Sequence, residues 1–219
     1  MGAFAFPEPL YPIADADSCA DVVALAEAVL AGGARLIQLR AKRAATRELI
    51  DLGRAVRARA ERAGARLVLN DRADVARLIG CGVHLGQDDL PPAAARAILG
   101  PDAVIGVSTH DLAQLDAAVR DGIADYLAYG PIFPTRSKAN PDPVQGLDAL
   151  RAARARCPLP LVAIGGITAE TIPAVRAAGA DAVAVIGAIA GAADPTGATR
   201  ALRLAAKGPR DQSSSISAG

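Results

Sequence analysis

Residues 36–70 read LIQLRAKRAATRELIDLGRAVRARAERAGARLVLN, and the fold follows from how they divide. A short apolar run, Leu36–Leu39, opens the stretch and a second, Arg66–Asn70, closes it. Between them lies a long Ala-, Arg- and Leu-rich segment near Ala44–Ala63. Short runs bounded by turns read as strands, and the longer segment reads as a helix. Gly64 stands just past it, where a helix commonly ends. The stretch is therefore strand–helix–strand, the unit of a parallel sheet.

The same unit recurs along the chain. Strands are expected near Leu10–Ala14, Leu36–Leu39, Arg66–Asn70, Gly82–Leu85, Val104–Ser108, Tyr126–Tyr129, Leu161–Ile164 and Ala182–Ile186. Helices are expected near Asp21–Ala31, Ala44–Ala63, Ala73–Gly80, Pro92–Leu99, Leu112–Asp121, Leu147–Arg156, Thr171–Ala178 and Thr196–Ala206. Asp21 and Thr196 are the expected N-caps, and Pro92 suits a first turn. Gly32, Gly64, Gly100, Gly122 and Gly179 fall just beyond helix ends. Eight successive βα units close into a (β/α)8 TIM barrel, a single domain over residues 1–206. The alternative, an open doubly wound sheet, would want a GxGxxG after the first strand, and none is there. Residues 207–219, rich in Ser, Gly and charge, are expected to be a disordered tail.

The 219 residues suit such a domain, and 52% hydrophobic against 21% charged residues fits a globular chain. A formal net charge of +1 argues against a general nucleic-acid binder, and 3% aromatics with no Trp argues against a base-stacking surface. Cys19, Cys81 and Cys157 have neither CxxC nor metal-ligand spacing and are expected to be reduced, in a cytoplasmic protein. The start, MGAFAFPEPL, has no basic residue before its apolar stretch, so no secretory signal is expected. Phe6 likewise stands where myristoylation would want Ser or Thr. The longest uncharged apolar run, Ala182–Ala193, has twelve residues, too few to span a bilayer.

Active sites of such barrels lie at the C-terminal ends of the strands. The unusual polar residues cluster there. Alternation along the second strand turns Ile37 and Leu39 toward the helices and Gln38, Arg40 and Lys42 toward the interior and mouth. An inward Arg is costly unless it meets an anion. The third strand ends in Asn70-Asp71-Arg72 and the fourth in Gly86-Gln87-Asp88-Asp89. Asp71 with Asp88 or Asp89 could converge on one hard cation, although each alone reads as a helix-start residue. His84 reads as a packed core histidine, and His110, after the fifth strand, is better placed for chemistry. Ser108 has no Asp–His relay, so no nucleophilic triad is read. The sixth strand leads into Gly130-Pro131-Ile132-Phe133-Pro134-Thr135-Arg136-Ser137-Lys138, a loop suited to wrap a phosphate. Gly165-Gly166 and Gly187 follow the last two strands, the commonest phosphate-binding arrangement of this fold.

Taken in order, Gln38-Leu39-Arg40-Ala41-Lys42, Asn70-Asp71-Arg72, His84 to Asp89, Gly130 to Thr135 with Lys138, and Ala163 to Ile167 resemble the thiamine-phosphate synthase (thiamine-phosphate pyrophosphorylase) family from about Leu10 to Ala190. The resemblance implies a transferase of thiamine biosynthesis with one Mg2+ per subunit. It would join 4-amino-2-methyl-5-hydroxymethylpyrimidine diphosphate to a thiazole phosphate, releasing diphosphate. By matching position, Gln38, Arg40, Lys42, Asn70, Ser108 and Lys138 would hold the pyrimidine diphosphate, with Arg40, Lys42, Ser108 and Lys138 serving catalysis. Asp71 and Asp89 would ligate Mg2+, and Thr135, Ser137, Gly166, Ile186 and Gly187 would hold the thiazole phosphate. The family commonly has Ser at the place of Gly187. The partners implied are small phosphorylated molecules, not nucleic acid or membrane, and a homo-oligomer is compatible but unassigned. A thiazole tautomerase-like barrel and a non-catalytic phosphate-ligand sensor are the competing expectations.

Overall fold

In the computed structural model, residues 4–135 and 142–208 are described. Eight strands alternate with helices: β1 (Leu10–Asp15), β2 (Leu36–Arg40), β3 (Arg66–Asn70), β4 (Gly82–Leu85), β5 (Ile105–Thr109), β6 (Tyr126–Tyr129), β7 (Leu161–Ile164) and β8 (Ala182–Val185). All pair in parallel and in sequence order, and β1 closes on β8 with Leu10 opposite Val183. The barrel expected from the repeated unit is the fold.

The helices are α1 (Val22–Ala31), α2 (Thr46–Arg62), α3 (Ala73–Ile79), α4 (Pro92–Leu99), α5 (Leu112–Asp121), α6 (Gly146–Arg156), α7 (Ile172–Ala177), α8 (Gly187–Ala190) and α9 (Pro195–Ala206). Asp21 caps α1, accepting from the amides of Val23 and Ala24 at 2.9 Å. Three expectations need correcting. First, α2 begins at Thr46, because Ala41–Ala44 close a turn (Ala44 N–H to Ala41 O, 3.3 Å) before the chain can wind. Second, the cap of α9 is Asp194, which accepts from the Gly197 amide at 3.0 Å. Thr196 lies inside the helix and its hydroxyl donates to Ala28 O instead. Third, α8 is an extra turn of helix that a glycine after β8 had suggested only as a loop.

Alternation sorts the strand side chains into two shells. Ile37, Leu39, Leu69, Val83, Leu85, Ile105 and Leu127 face the helices and are fully buried. Tyr11, Ile13, Leu36, Val68, Tyr126, Ala128, Val162, Ala182 and Ala184 fill the barrel axis. Of the chain's six Phe and Tyr residues, four meet inside: Phe4 and Phe6 close the lower end against Tyr126, with ring centroids 5.4 and 5.1 Å away, and Tyr11 lies 5.9 Å from Tyr126. Such ring contacts add to the area each ring buries. The lower barrel axis is thus filled by packed rings.

The three cysteines are free, with Cys157 buried and the others half-buried. Among the described residues no helix is long and apolar enough to cross a membrane. Residues 209–219, most of the expected tail, lie outside the described residues.

Candidate active site

Two adjoining spaces with shared lining residues lie at the strand ends. One, about 440 Å3, lies over β5–β8 and is lined among others by Ser108, Thr135, Gly166, Ile186 and Gly187. The other, about 80 Å3, sinks along the barrel axis between Gln38, Arg40, Asn70, His84, Ser108 and Ile186. Ser108 and Ile186 border both. Of the expected site residues, Gln38, Arg40, Asn70, Ser108, Thr135, Gly166, Ile186 and Gly187 line one cavity or the other, while Lys42, Asp71 and Asp89 stand just beyond the ends of β2, β3 and β4. Ser137 and Lys138 lie outside the described residues.

Around β1–β4 the mouth is charged. Arg40, the last residue of β2, donates through Nη1 to Asp15 Oδ1 at 2.8 Å, and Asp17 lies 3.8 Å away. Asp15, at the end of β1, is 1% exposed and also accepts from the Ser18 hydroxyl at 2.7 Å. Lys42 Nζ sits 3.3 Å from Asp71 Oδ2. Asp71 follows β3 in the left-handed region, φ 65°, which Asp and Asn tolerate better than most residues. Its carboxyl is pushed up to about 6, first by burial and then by the adjacent Asp89 carboxylate, while Lys42 pulls the other way. Asp89 is held by the Gly86 amide, which donates to its Oδ2 at 2.6 Å. Asp88 is exposed. Of the two aspartates after β4, the one facing Asp71 is therefore Asp89.

Around β6–β8 the mouth is built from backbone. Gly165 (φ 100°) and Gly166 (φ 65°) adopt conformations that favour glycine. Side chains there would also overlap Pro131 and the Phe133–Pro134 backbone of the neighbouring loop. Gly187 starts α8, and a Cβ at that position would touch nothing within 4 Å. The first amides of a helix have no partner within it, so they face outward. His110 does not stand as a free base: its Nδ1 donates to Gly130 O at 2.9 Å and lies 3.4 Å from Asp142 Oδ2.

Beneath the mouth runs a chain of hydrogen bonds across the barrel. Gln38 Nε2 donates to the Tyr11 hydroxyl (3.0 Å), which meets the Tyr126 hydroxyl (2.9 Å). Tyr126 in turn meets His84 Nδ1 (2.9 Å), and His84 Nε2 meets Ser108 Oγ (2.9 Å). His84 is buried, as expected, but both ring nitrogens are used. Gly106 on β5 makes this possible, since a Cβ there would overlap the Tyr126 ring, its hydroxyl and His84 Nδ1.

Three residues escaped the sequence reading. Asp15 ends β1, so the strand-end rule applied to the first strand would have found it. Tyr11 and Tyr126 had a weaker signal: two of only three tyrosines, each at an inward position of its strand. Among the described residues no group of three or more His, Cys, Asp or Glu side chains is placed to hold a metal. The Asp71–Asp89 pair is the donor set present.

Along most of its length the chain is similar to known proteins. A family model described as thiamine monophosphate synthase matches residues 10–189. A thiamine-phosphate synthase of Koribacter versatilis (strain Ellin345) is 50% identical over 184 residues, covering 81% of this chain and 86% of its own. One of Moorella thermoacetica (strain ATCC 39073 / JCM 9320) is 48% identical over 180 residues, covering 82% and 85%. A solved thiamine phosphate pyrophosphorylase from Pyrococcus furiosus superposes with a TM-score of 0.82 at 37% identity, covering 90% of this chain and 94% of its own.

Proposed function

The chain belongs to the thiamine monophosphate synthase family and is a transferase, and from that premise we propose that it condenses 4-amino-2-methyl-5-hydroxymethylpyrimidine diphosphate with a thiazole phosphate. The thiazole partner is 4-methyl-5-(2-phosphooxyethyl)thiazole or its carboxylated form. The observation that carries the reading is the joint placement of Arg40, Lys42, Asp71 and Asp89 on neighbouring strand ends beside a cavity floored by Gln38 and Ser108.

The pyrimidine seats against Gln38, Asn70 and Ser108, and its diphosphate meets Arg40, Lys42 and Lys138. The bond between the exocyclic methylene carbon and the diphosphate oxygen breaks, and its electron pair leaves with diphosphate. The 4-amino group feeds electron density into the ring and stabilises the resulting carbocation. The thiazole nitrogen then donates its lone pair to that carbon, giving thiamine phosphate; from the carboxylated thiazole CO2 leaves as well, its bonding pair staying on the ring carbon, which takes up a proton. No protein nucleophile is required. The chain's work is to hold both substrates in line and to neutralise the departing charge. Thr135 and Ser137, with the backbone at Gly166, Ile186 and Gly187, hold the thiazole phosphate over β6–β8.

The donor chemistry at Asp71 and Asp89 fits Mg2+. Burial, and after it the neighbouring Asp89 carboxylate, raises the pKa of Asp71, and a hard dication, which takes one or two carboxylates plus waters and phosphate oxygens, would relieve both. Mg2+, when bound there, supplies positive charge beside the leaving diphosphate. The tautomerase-like and sensor alternatives leave this carboxylate pair without a use.

The test is direct. Purified protein is mixed with both substrates and Mg2+, with EDTA as control, while diphosphate release and thiamine phosphate are followed together. Product that depends on Mg2+ supports the reading. Absence of product with the full mixture overturns it.

A further inference from the structure

Asp15 is the most deeply buried carboxylate among the described residues, at 1% exposed, and the sheet sets its place. It ends β1 directly beside Arg40, which ends β2. Alternation turns both side chains inward, in line with Tyr11 and Ile13 on one strand and Leu36 on the other. A charge taken out of water is costly unless donors surround it. Asp15 finds three. Its Oδ1 accepts from Arg40 Nη1 at 2.8 Å and from the Asp17 amide at 3.4 Å, and its Oδ2 accepts from the Ser18 hydroxyl at 2.7 Å. The carboxylate is held through both oxygens and stands as a fixed post.

Arg40 is held at one corner only. Its Nη1 carries the contact to Asp15 and lies 3.8 Å from Asp17, while Nε and Nη2 have no partner among the described residues. Those two nitrogens form the side-on edge of the guanidinium, whose parallel N–H bonds match two oxygens of a phosphate. The other cations of this quadrant are looser. Lys42 is 49% exposed over Asp71, and Arg43 is 84% exposed beside Asp17. Arg40 is 14% exposed and lines the 80 Å3 cavity. Of the three, it alone is fixed in place before a ligand arrives.

We propose that Asp15 is a positioning residue, holding Arg40 by Nη1 so that the Nε–Nη2 edge is presented to the diphosphate of the pyrimidine substrate. This rests on the diphosphate reading of the mouth. Pairing with Asp15 offsets the charge of Arg40, so the pair offers direction, and net attraction is left to the looser cations and the dication. The expected sign is the reverse of simple charge counting. Loss of a carboxylate makes the mouth more positive and on charge alone would tighten an anion. Loss of the Asp15 charge instead lets the Arg40 edge drift and weakens it.

The experiment measures the affinity of the full chain for inorganic diphosphate, with Mg2+ present, by calorimetry. The unaltered protein is compared with Asp15→Asn, Arg40→Lys and the double variant. Asp15→Asn should weaken diphosphate about tenfold, the effect of one misaligned charge-assisted pair. Arg40→Lys keeps the charge without the fork, so in that background Asp15→Asn should cost no more than about twofold. Asp17→Asn removes the same charge from the same corner while Asp15 keeps its hold, and it should not weaken diphosphate. A purely structural Asp15, capping the short helical turn Ala16–Ser18, would cost the same factor in both backgrounds. That result overturns the positioning role. So does unchanged or tighter binding in Asp15→Asn, or no diphosphate binding by the unaltered protein. Should Asp15→Asn fail to fold, Ser18→Ala loosens the same carboxylate from an exposed position. It should weaken diphosphate about threefold with Arg40 in place and leave Arg40→Lys unaffected, and equal effects overturn the role. Diphosphate binding with this pattern, in a protein that makes no thiamine phosphate, overturns the proposed substrates and leaves the part of Asp15 in holding a diphosphate.

Discussion

Replacing Asp71 by Asn should stabilise the metal-free protein, and by an amount that depends on pH in a defined way. In the fold the carboxyl is pushed from 3.8 to about 6, by burial and by Asp89. At full strength that rise is worth about 3 kcal/mol, taking about 1.4 kcal/mol per tenfold change. About a fifth of the side chain is exposed, 21%, so solvent screening brings the expected gain nearer 1–2 kcal/mol. Asn also suits φ 65° as well as Asp does, so the change adds no backbone strain. For a chain of this size the gain corresponds to a melting temperature about 3–6 °C higher.

The sign runs opposite to that of a salt-bridged aspartate. Because the folded-state pKa is raised, the folded protein binds a proton more readily than the unfolded chain, so its penalty is full above about pH 7. The penalty is relieved as pH falls through 6, stands at about half near pH 5 and at about a fifth near pH 4, and is gone by about pH 3. The advantage of Asp71→Asn over the unaltered protein should therefore shrink along that course. The assay is thermal unfolding of both proteins in EDTA from pH 4 to 8, repeated with Mg2+ at pH 7.5. Added Mg2+ should raise the melting temperature of the unaltered protein and not of the variant. A variant no more stable at pH 7.5, or an advantage that does not change with pH, would refute the opposed carboxylates.

Further tests address other parts of the mouth. Lys138→Ala should lower turnover roughly a hundredfold or more, since a cation at the leaving group acts mainly in the transition state; near-normal kcat would remove that role. Gly187→Ser should fit without strain, because a Cβ there has open space, and should lower KM for the thiazole phosphate roughly fivefold by adding a hydroxyl donor. Gly106→Ala should cost about 1–3 kcal/mol by overpacking Tyr126 and His84, visible as a lower melting temperature together with a loss of pyrimidine binding by calorimetry.

The barrel could be read from the sequence because its information is local. Each strand is a short apolar run, each helix a longer periodic one, and the eight-fold repetition fixes how they must pair. The strand-end rule put Arg40, Asn70, Asp71, Ser108 and Gly166 at or just past the strand ends with no knowledge of distance, and the structure has them there. Contacts between distant positions could not be read in this way. The Tyr11–Tyr126 hydrogen bond joins residues 115 apart, and nothing near either tyrosine announces the other. His84 was read as a core residue for the same reason: burial can be guessed from a strand, but the use of both ring nitrogens depends on β5 and β6. Thr196 failed as a cap because Asp194 competes two residues earlier with a better acceptor, and boundaries are decided by such small differences.

The charge at the mouth is the other feature that composition hides. A net charge of +1 suggested that phosphate groups would have to be met locally, and the cations for that purpose are indeed gathered. Yet each described one is already engaged: Arg40 with Asp15, Lys42 with Asp71, and Arg43 with Asp17. Counting Asp89, the three cations face four carboxylates, so this quadrant is slightly negative. From these described groups alone a bare diphosphate would gain no net attraction at close range, and Lys138 would have to supply it. A diphosphate arriving with a dication, or after one, meets a different surface, because the charge that held Lys42 on Asp71 is shared and Lys42 is released toward the anion. Order of addition then becomes informative. If diphosphate binding measured by calorimetry tightens at least tenfold when Mg2+ is present, the carboxylates act as a gate for the cations as well as a seat for the metal. Equal affinity with and without Mg2+ would show that Arg40 and Lys42 abandon their carboxylates unaided.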